Sequence, residues 1–141
     1  MSATLDANVL LYAWNEDDPV HEPARTLLER LLEGPELLYL FWPVLMGYLR
    51  IATHPAIFPR PGSSAQIISN ITAMLALPHV RAPGEAPGFW RHYRSVGEKL
   101  RGNAVPDAHV VALMRQHGVR VIYTRDRGFR RFDEVEQRDL L

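Results

Sequence analysis

One stretch of this chain limits its fold more than any other, because an amphipathic helix is followed there directly by a strand. The segment DAHVVALMRQHG, residues 107–118, has apolar residues at helical spacing and ends at a glycine suited to a helix C-cap. The next six residues, VRVIYT, are rich in β-branched side chains and predict a buried strand over 119–124. A helix that leads into a new strand is the repeating unit of parallel α/β folds.

The same alternation runs through the rest of the chain. Strands are predicted over 2–6, over 36–42, near 79–84 and within the last segment, which is otherwise expected to be irregular. Helices are predicted from about residue 8 and over 21–34, 42–55, 63–77 and 88–101, and GNAVP (102–106) is predicted to be a loop. We therefore expect a single α/β domain over residues 1–141, with helices packed on a central parallel sheet.

Composition narrows the function classes. Hydrophobic residues make up 47% of the chain, which is enough for a core. There is no apolar run of 18 or more residues, so no membrane association is expected. The first residues lack the basic and apolar regions of a signal peptide, and we expect a cytoplasmic protein. Cysteine is absent, which excludes disulfides and thiolate metal sites.

Charge is balanced overall but unevenly distributed. Residues 1–36 contain eight acids and two arginines, while the remainder is net basic. The densest basic stretch is VRVIYTRDRGFRR, residues 119–131, which contains five arginines. Such a stretch is either a patch that attracts phosphates or an ordinary solvated surface, and the sequence leaves both interpretations open.

Three aspartates occupy related positions in the predicted topology. Asp6 ends the first strand, Asp126 follows the strand VRVIYT, and Asp107 begins the helix before that strand. Each alone is explained as a helix cap or turn residue. Together they fall at the carboxyl edge of the sheet, where ligands bind in parallel α/β folds. Clustered carboxylates need a cation, and hard oxygen ligands suit Mg²⁺ or Mn²⁺, which can activate water against a phosphodiester.

Three segments together resemble the PIN-domain ribonucleases, and specifically the VapC toxins of type II toxin–antitoxin pairs. They are LDANVLLYAW, WPVLMGYLRIATHP and GNAVPDAHVVALMRQHGVRVIYTRDRGFRRF, and they span residues 4–132. The resemblance implies a three-layer α/β/α PIN-like fold with a central parallel sheet. It also implies metal-dependent cleavage of RNA, a cognate VapB-type antitoxin and a homodimer.

Carried over by position, the family's acids correspond to Asp6, Asp107 and Asp126 as catalytic and metal-binding residues. The chain departs from the family pattern at two places. Gly47 stands where the second acid usually lies, and Gly128 replaces an acid in the segment TRDRGF. A site with three acids can still hold one Mg²⁺ with waters, so we expect at most one well-bound ion, held chiefly by Asp6 and Asp107.

Further residues near these motifs are candidates for supporting or RNA-binding roles. Asn8 either orients Asp6 or caps the first helix, and Thr124 is expected to hydrogen-bond a site carboxylate or water. The other candidates are residues that would reach the metal's water shell, the RNA phosphates or a site acid, namely Asn103, Arg50, Arg125 and Arg127.

Two rival interpretations remain at this point. The glycines at 47 and 128 favour a catalytically weak or inactive PIN domain that binds its antitoxin or RNA. A phosphohydrolase of the haloacid-dehalogenase type also places an aspartate after its first strand. That chemistry requires a second aspartate two residues later, and this chain has Asn8 there.

Overall fold

Five parallel strands form the centre of the computed structural model, which describes residues 1–140. The strand order across the sheet is β3-β2-β1-β4-β5. The strands are β1 (Ser2–Leu5), β2 (Leu37–Tyr39), β3 (Val80–Arg81), β4 (Val121–Tyr123) and β5 (Glu136–Arg138). The parallel sheet predicted from the alternation of strands and helices is therefore confirmed.

The central position of β1 places its end beside the end of β4. Ala3 pairs with Leu38 of β2 on one side and with Val121 of β4 on the other. Leu5, the last residue of β1, pairs with Tyr123, the last of β4. Both strands are almost wholly buried, as expected for strands covered on both faces. Whatever follows these two strands therefore meets at one edge of the sheet.

Six helices flank the sheet. They are α1 (Ala7–Trp14), α2 (His21–Glu33), α3 (Trp42–Ala52), α4 (Ser64–Leu75), α5 (Phe89–Gly97) and α6 (Ala104–His117). Ser63 caps α4 by accepting a hydrogen bond from the backbone of Gln66. Gly118 ends α6 in the left-handed conformation at φ 72°, which is the C-cap predicted for it. Helices on both faces give the three-layer α/β/α architecture.

The start of α6 was placed wrongly from the sequence. GNAVP was predicted to be a loop, but the helix begins at Ala104, three residues before Asp107. Pro106 fits this position because backbone N–H groups in the first turn of a helix have no partner within the helix. Proline, which lacks this N–H, therefore loses no hydrogen bond there. Asp107 still lies in the first turn, so its carboxylate stays at the helix N-terminus.

The last segment contains more regular structure than predicted. A 3₁₀ helix, Arg127–Arg131, follows Asp126 and precedes β5, the short final strand that was predicted. Phe129 and Phe132 are buried and anchor this segment on the core. Across residues 1–140, none of the helices is both long enough and apolar enough to cross a bilayer.

Candidate active site

Asp6 lies at the junction of β1 and α1, where its side chain caps the helix. Its Oδ1 accepts hydrogen bonds from the backbone amides of Asn8, at 2.7 Å, and Val9, at 3.3 Å. The cap interpretation of Asp6 is thus confirmed, yet the residue is also buried, with only 9% of its surface exposed. Burial raises the pKa of Asp6, while the donors from Thr124 and the two amides oppose that shift.

Thr124 joins two of the predicted site acids. It follows β4, is fully buried, and its hydroxyl donates to Oδ2 of Asp6. The same hydroxyl oxygen accepts a hydrogen bond of 2.9 Å from the backbone amide of Asp126. The expected contact between Thr124 and a site carboxylate is therefore present. It fixes the end of β4 against the end of β1.

Asp107 approaches the same edge from the first turn of α6. Its side chain is half-buried, and this desolvation raises its pKa to about 6. The charges of Asp126 and Asp6 contribute to this rise, and Arg131 acts in the opposite direction. The charge of Asp126 thus disfavours the ionisation of both Asp6 and Asp107. The structure brings all three predicted acids to the carboxyl edge of the sheet.

The space beside Gly128 shows how closely the acids approach one another. A methyl group built on this glycine would lie 3.0 Å from Oδ1 of Asp126 and 3.5 Å from Oδ2 of Asp107. Two carboxylates therefore border one small space. Asp126 is itself exposed, and its Oδ1 accepts a hydrogen bond of 2.8 Å from the amide of Gly128.

The donor set suits a hard divalent cation bound partly through water. Within residues 1–140, no three acidic or imidazole groups lie close enough to form a ready metal cluster. Mg²⁺ commonly binds through only one or two carboxylates and keeps several waters, so a complete protein cage is not required. Mutual repulsion among Asp6, Asp107 and Asp126 is the electrostatic condition that a bound cation would relieve.

Gly47 lies beside the start of α1. A methyl group built on it would lie 3.4 Å from the Cβ of Ala7, the residue that follows Asp6. The missing second acid of the family pattern would thus project from α3 near the Asp6 end of the site. That distance is an ordinary van der Waals contact, so the packing of α3 on α1 does not itself require a glycine here.

The side chains of three supporting candidates make no hydrogen bond to the site acids. Asn8 orients Asp6 through its backbone amide, while its side chain is exposed. Asn103 is the N-cap residue of α6 but makes no side-chain cap bond. Arg50 is exposed in the last turn of α3 and forms no ion pair with any carboxylate of residues 1–140.

Arg125 and Arg127 line a polar cleft that begins at Thr124. The cleft has a volume of about 440 Å³ and is completed by Arg130, Gln137 and Asp139. Arg125 lies 3.6 Å from the carboxylate of Asp139, and the arginines on this wall are exposed. Three of the five arginines of the basic stretch therefore line this basic cleft, and two of them flank Asp126 in the sequence.

Two site residues escaped the sequence reasoning, and a third was predicted only as one of the arginines that could neutralise RNA phosphates. Tyr12 on α1 lies near the acids, since burial and then the charge of Asp6 raise its pKa. Gln137 of β5 donates from Nε2 to the carbonyls of Asp126, at 3.0 Å, and Thr124, at 3.4 Å. Arg131 lies beside Gly128, with Nη2 3.6 Å from the position of its missing Cβ. Only Arg131 carried a signal, as part of the basic stretch.

Comparison with known families places this fold and site in a defined class. The PIN domain model matches residues 3–135, which is nearly the whole chain. The chain therefore belongs to the PIN domain family, as its three sequence segments predicted.

Within that family the similarity extends to the VapC proteins at close to full length. Ribonuclease VapC48 of Mycobacterium tuberculosis is 50% identical over 141 residues, covering 99% of this chain and 97% of the relative. VapC ribonuclease Mb2897 of Mycobacterium bovis is 34% identical over 138 residues, covering 95% of this chain and 92% of the relative.

Solved structures confirm the fold. VapBC2 from Rickettsia felis, bound to a DNA fragment from its promoter, matches with a TM-score of 0.70 at 14% identity, covering 99% of this chain and 98% of that one. VapC20 of Mycobacterium tuberculosis, described as a Sarcin-Ricin loop cleaving toxin, matches with a TM-score of 0.68 at 17% identity. It covers 93% of this chain and 95% of its own. The haloacid-dehalogenase interpretation is thereby set aside.

Proposed function

We propose that this chain is a metal-dependent endoribonuclease of the VapC type, which hydrolyses RNA phosphodiester bonds as the toxin of a toxin–antitoxin pair. The observation that carries the proposal is the convergence of Asp6, Asp107 and Asp126 at one sheet edge, two of them joined through Thr124. The ribonuclease names of its full-length relatives support the substrate class.

Asp6, Asp107 and Asp126 are the residues that would hold Mg²⁺ or Mn²⁺. Such an ion, when bound, supplies a water of lowered pKa and offsets the charge of the phosphate. The chain's own part is to keep the acids in position. The N-terminus of α1 and Thr124 hold Asp6 in one rotamer, and the Thr124 hydroxyl sets the backbone at Asp126.

Asp107 controls when the site is ready for a cation. With a pKa of about 6, its carboxyl is largely ionised at neutral pH and largely protonated in mild acid. A cation needs the ionised form, so metal binding should weaken as the pH falls through this range.

The basic cleft is the surface that we assign to the RNA backbone. Arg125, Arg127 and Arg130 are exposed and line this one cleft, where consecutive phosphates can reach them. Arginine suits phosphate because its planar guanidinium donates two parallel hydrogen bonds. Binding through such contacts should weaken as salt is raised.

A VapB-type antitoxin is the partner that we propose. The structural neighbours from Rickettsia felis and Salmonella typhimurium are both VapBC assemblies bound to DNA. We also propose a homodimer formed through α3, whose Trp42 and Met46 are 41% and 48% exposed. The proposed setting is the cytoplasm, with residues 1–141 acting as one domain built on a single hydrophobic cluster.

The decisive experiment is cleavage of a total small-RNA pool by purified, antitoxin-free protein in Mg²⁺ or Mn²⁺. Samples with EDTA and the variant Asp6→Asn run in parallel, since asparagine preserves the helix cap while removing the charge. Discrete fragments that disappear in both controls support the nuclease, and their ends identify the substrate.

The second candidate is an inactive PIN domain that binds RNA or its antitoxin. The two glycines at family acid positions and the lack of a ready three-acid cluster in residues 1–140 favour it. Folded protein that binds RNA in a salt-dependent manner but yields no fragments in either metal would support this alternative.

A further inference from the structure

Arg131 differs from the other arginines of the 3₁₀ helix because its guanidinium lies beside two of the site acids. The missing Cβ of Gly128 would lie 3.6 Å from Nη2 of Arg131, 3.0 Å from Oδ1 of Asp126 and 3.5 Å from Oδ2 of Asp107. A guanidinium and two carboxylates thus surround one small space. The other arginines of the 3₁₀ helix, Arg127 and Arg130, line the basic cleft, whose lining does not include Arg131.

Arg131 is near the acids without being neutralised by them. It forms no ion pair within 4.0 Å of any carboxylate among residues 1–140, although its charge lowers the pKa of Asp107. Its side chain is exposed. An arginine held beside an anionic site, but left unpaired, has hydrogen-bond donors available for an incoming anion.

We propose that Arg131 binds the phosphate at which the RNA is cut, and that Gly128 is what leaves it available. This inference rests on the proposed function. It adds Arg131 to the RNA-binding residues and explains why position 128 is a glycine. A phosphate that reaches this end of the acid site would lie within reach of the guanidinium. The positive charge of Arg131 would then face the negative charge that develops on the phosphate in the transition state.

The glycine matters because of what an acid would do in its place. An aspartate at position 128 begins from a Cβ that lies 3.6 Å from the guanidinium, so its carboxylate would pair with Arg131. The pair would remove the charge that the phosphate needs. Gly128 has no positive φ, so its backbone accepts a side chain, and the Asp126 side chain has to shift only a few tenths of an ångström to make room for the new Cβ.

The first experiment compares Arg131→Gln and Arg131→Lys with Arg30→Gln. Arg30 is an exposed arginine of α2 near the start of β2, at the opposite edge of the sheet, and serves as the matched control. The glutamine variant should lower kcat/KM for RNA cleavage about ten- to a hundredfold, lysine should recover part of it, and the control should not change it. Unaltered kcat/KM in Arg131→Gln would overturn the proposal.

A readout independent of cleavage is the salt dependence of RNA binding. The probe is a labelled single-stranded oligoribonucleotide of mixed sequence in Ca²⁺, and a gel of the same samples verifies that the RNA stays intact. Loss of one phosphate contact should reduce the slope of log K against log salt by about 0.7 to 1. A merely structural arginine would leave the slope unchanged, and that result would refute the phosphate contact.

The role of Gly128 is tested with Gly128→Asp and Gly128→Ala. The aspartate should reproduce most of the loss seen in Arg131→Gln. Alanine adds the same Cβ, 3.0 Å from Oδ1 of Asp126, without the charge, so it should lose clearly less activity than aspartate. Adding Arg131→Gln to Gly128→Asp should cost little more, because the guanidinium is already neutralised. An aspartate variant that cleaves faster would show that an acid here serves the metal instead, and would contradict our assignment.

Failure of this proposal is distinguishable from failure of the proposed function. If wild-type protein cuts RNA and Arg131→Gln cuts equally well, the nuclease function is supported and the phosphate contact of Arg131 is refuted. If wild-type protein cuts no RNA, but the salt slope of RNA binding falls in Arg131→Gln, the phosphate contact is supported and the nuclease function is refuted.

Discussion

The hydroxyl of Thr124 donates a hydrogen bond to Oδ2 of Asp6, although 118 positions separate the two residues in the sequence. This bond ties the end of β4 to the end of β1, and its oxygen also accepts the amide of Asp126. Removing one hydroxyl therefore disturbs two of the three site acids.

Thr124→Val should be destabilising for this reason. Valine has nearly the same shape, but it leaves the buried carboxylate of Asp6 without its side-chain donor, at a cost of about 1–3 kcal/mol in the free energy of unfolding. Thr124→Ser, which keeps the hydroxyl, should lose less, and RNA cleavage should follow the same order. Urea unfolding measures the first effect.

The matched control is Thr72→Val on the exposed side of α4, where the hydroxyl bonds only to the carbonyl of Ile68. That change should be close to neutral. Equal losses in the two valine variants would contradict the special role of the bond to Asp6.

Asp107→Asn should make the metal-free protein more stable at neutral pH. The pKa of Asp107 is about 6 in the folded protein and 3.8 for the free group, so the folded state binds the proton more tightly. Its contribution to stability is therefore full below about pH 4 and declines as the pH rises to about 6 and above. Asparagine does not ionise, so the Asp107→Asn variant does not lose this stability as the pH rises.

The measurement is the free energy of unfolding in EDTA across this pH range, for wild type, Asp107→Asn and the exposed control Asp133→Asn. The difference between Asp107→Asn and wild type should grow with pH over the window. A difference that shrinks as the pH rises would show that Asp107 is stabilised in its charged form.

The edge that carries the acids was predictable because parallel topology fixes it. An aspartate after β1, another after β4 and a third at the start of α6 must share one side of the sheet, whatever the details of packing. The binding of a metal by these acids stays a prediction, as do the roles of Asn8, Asn103 and Arg50.

The parts that escaped prediction depend on contacts between distant segments. Gln137 lies in a polar strand, EQR, with no apolar period, and its role exists only because β5 pairs beside β4. The proximity of Arg131 to Asp107 follows from the 3₁₀ helix, whose short run has no periodicity to detect. The early start of α6 reflects the weak signal that marks helix ends.

Two substitutions of Gly47 test two different properties, the stability of the protein and its affinity for a metal ion. Gly47→Ala should stabilise the protein by up to about 1 kcal/mol, because alanine is the better helix former and the new Cβ makes an ordinary contact with Ala7. Gly47→Glu should add a carboxylate near the Asp6 end of the site and tighten Mn²⁺ binding.

Isothermal titration of Mn²⁺ checks the second effect, with Gly47→Gln as a control of equal size and no charge. The glutamate variant should bind more tightly than both wild type and the glutamine variant. Equal affinities in all three would mean that position 47 does not face the cation, and the family's second acid would then have no counterpart to restore.

Gln137→Leu should lower RNA cleavage while changing the free energy of unfolding only slightly. Leucine removes the donor to the carbonyls of Asp126 and Thr124, which costs about 0.5–1.5 kcal/mol per bond. It also removes a buried acceptor, Oε1, that has no hydrogen-bond partner among residues 1–140, and this relief offsets much of the cost. The free energy of unfolding should therefore change by no more than about 1 kcal/mol.

Cleavage by Gln137→Leu should nevertheless fall, because the backbone from Thr124 to Asp126 loses its tie to β5 and the Asp126 carboxylate loses its fixed position. Gln66→Leu on exposed α4 is the control, and it should keep full activity. Urea unfolding and RNA cleavage are measured on the same preparations. Gln137→Leu protein with unchanged cleavage would show that Asp126 is held by Thr124 and Gly128 alone, and that β5 contributes only to the sheet.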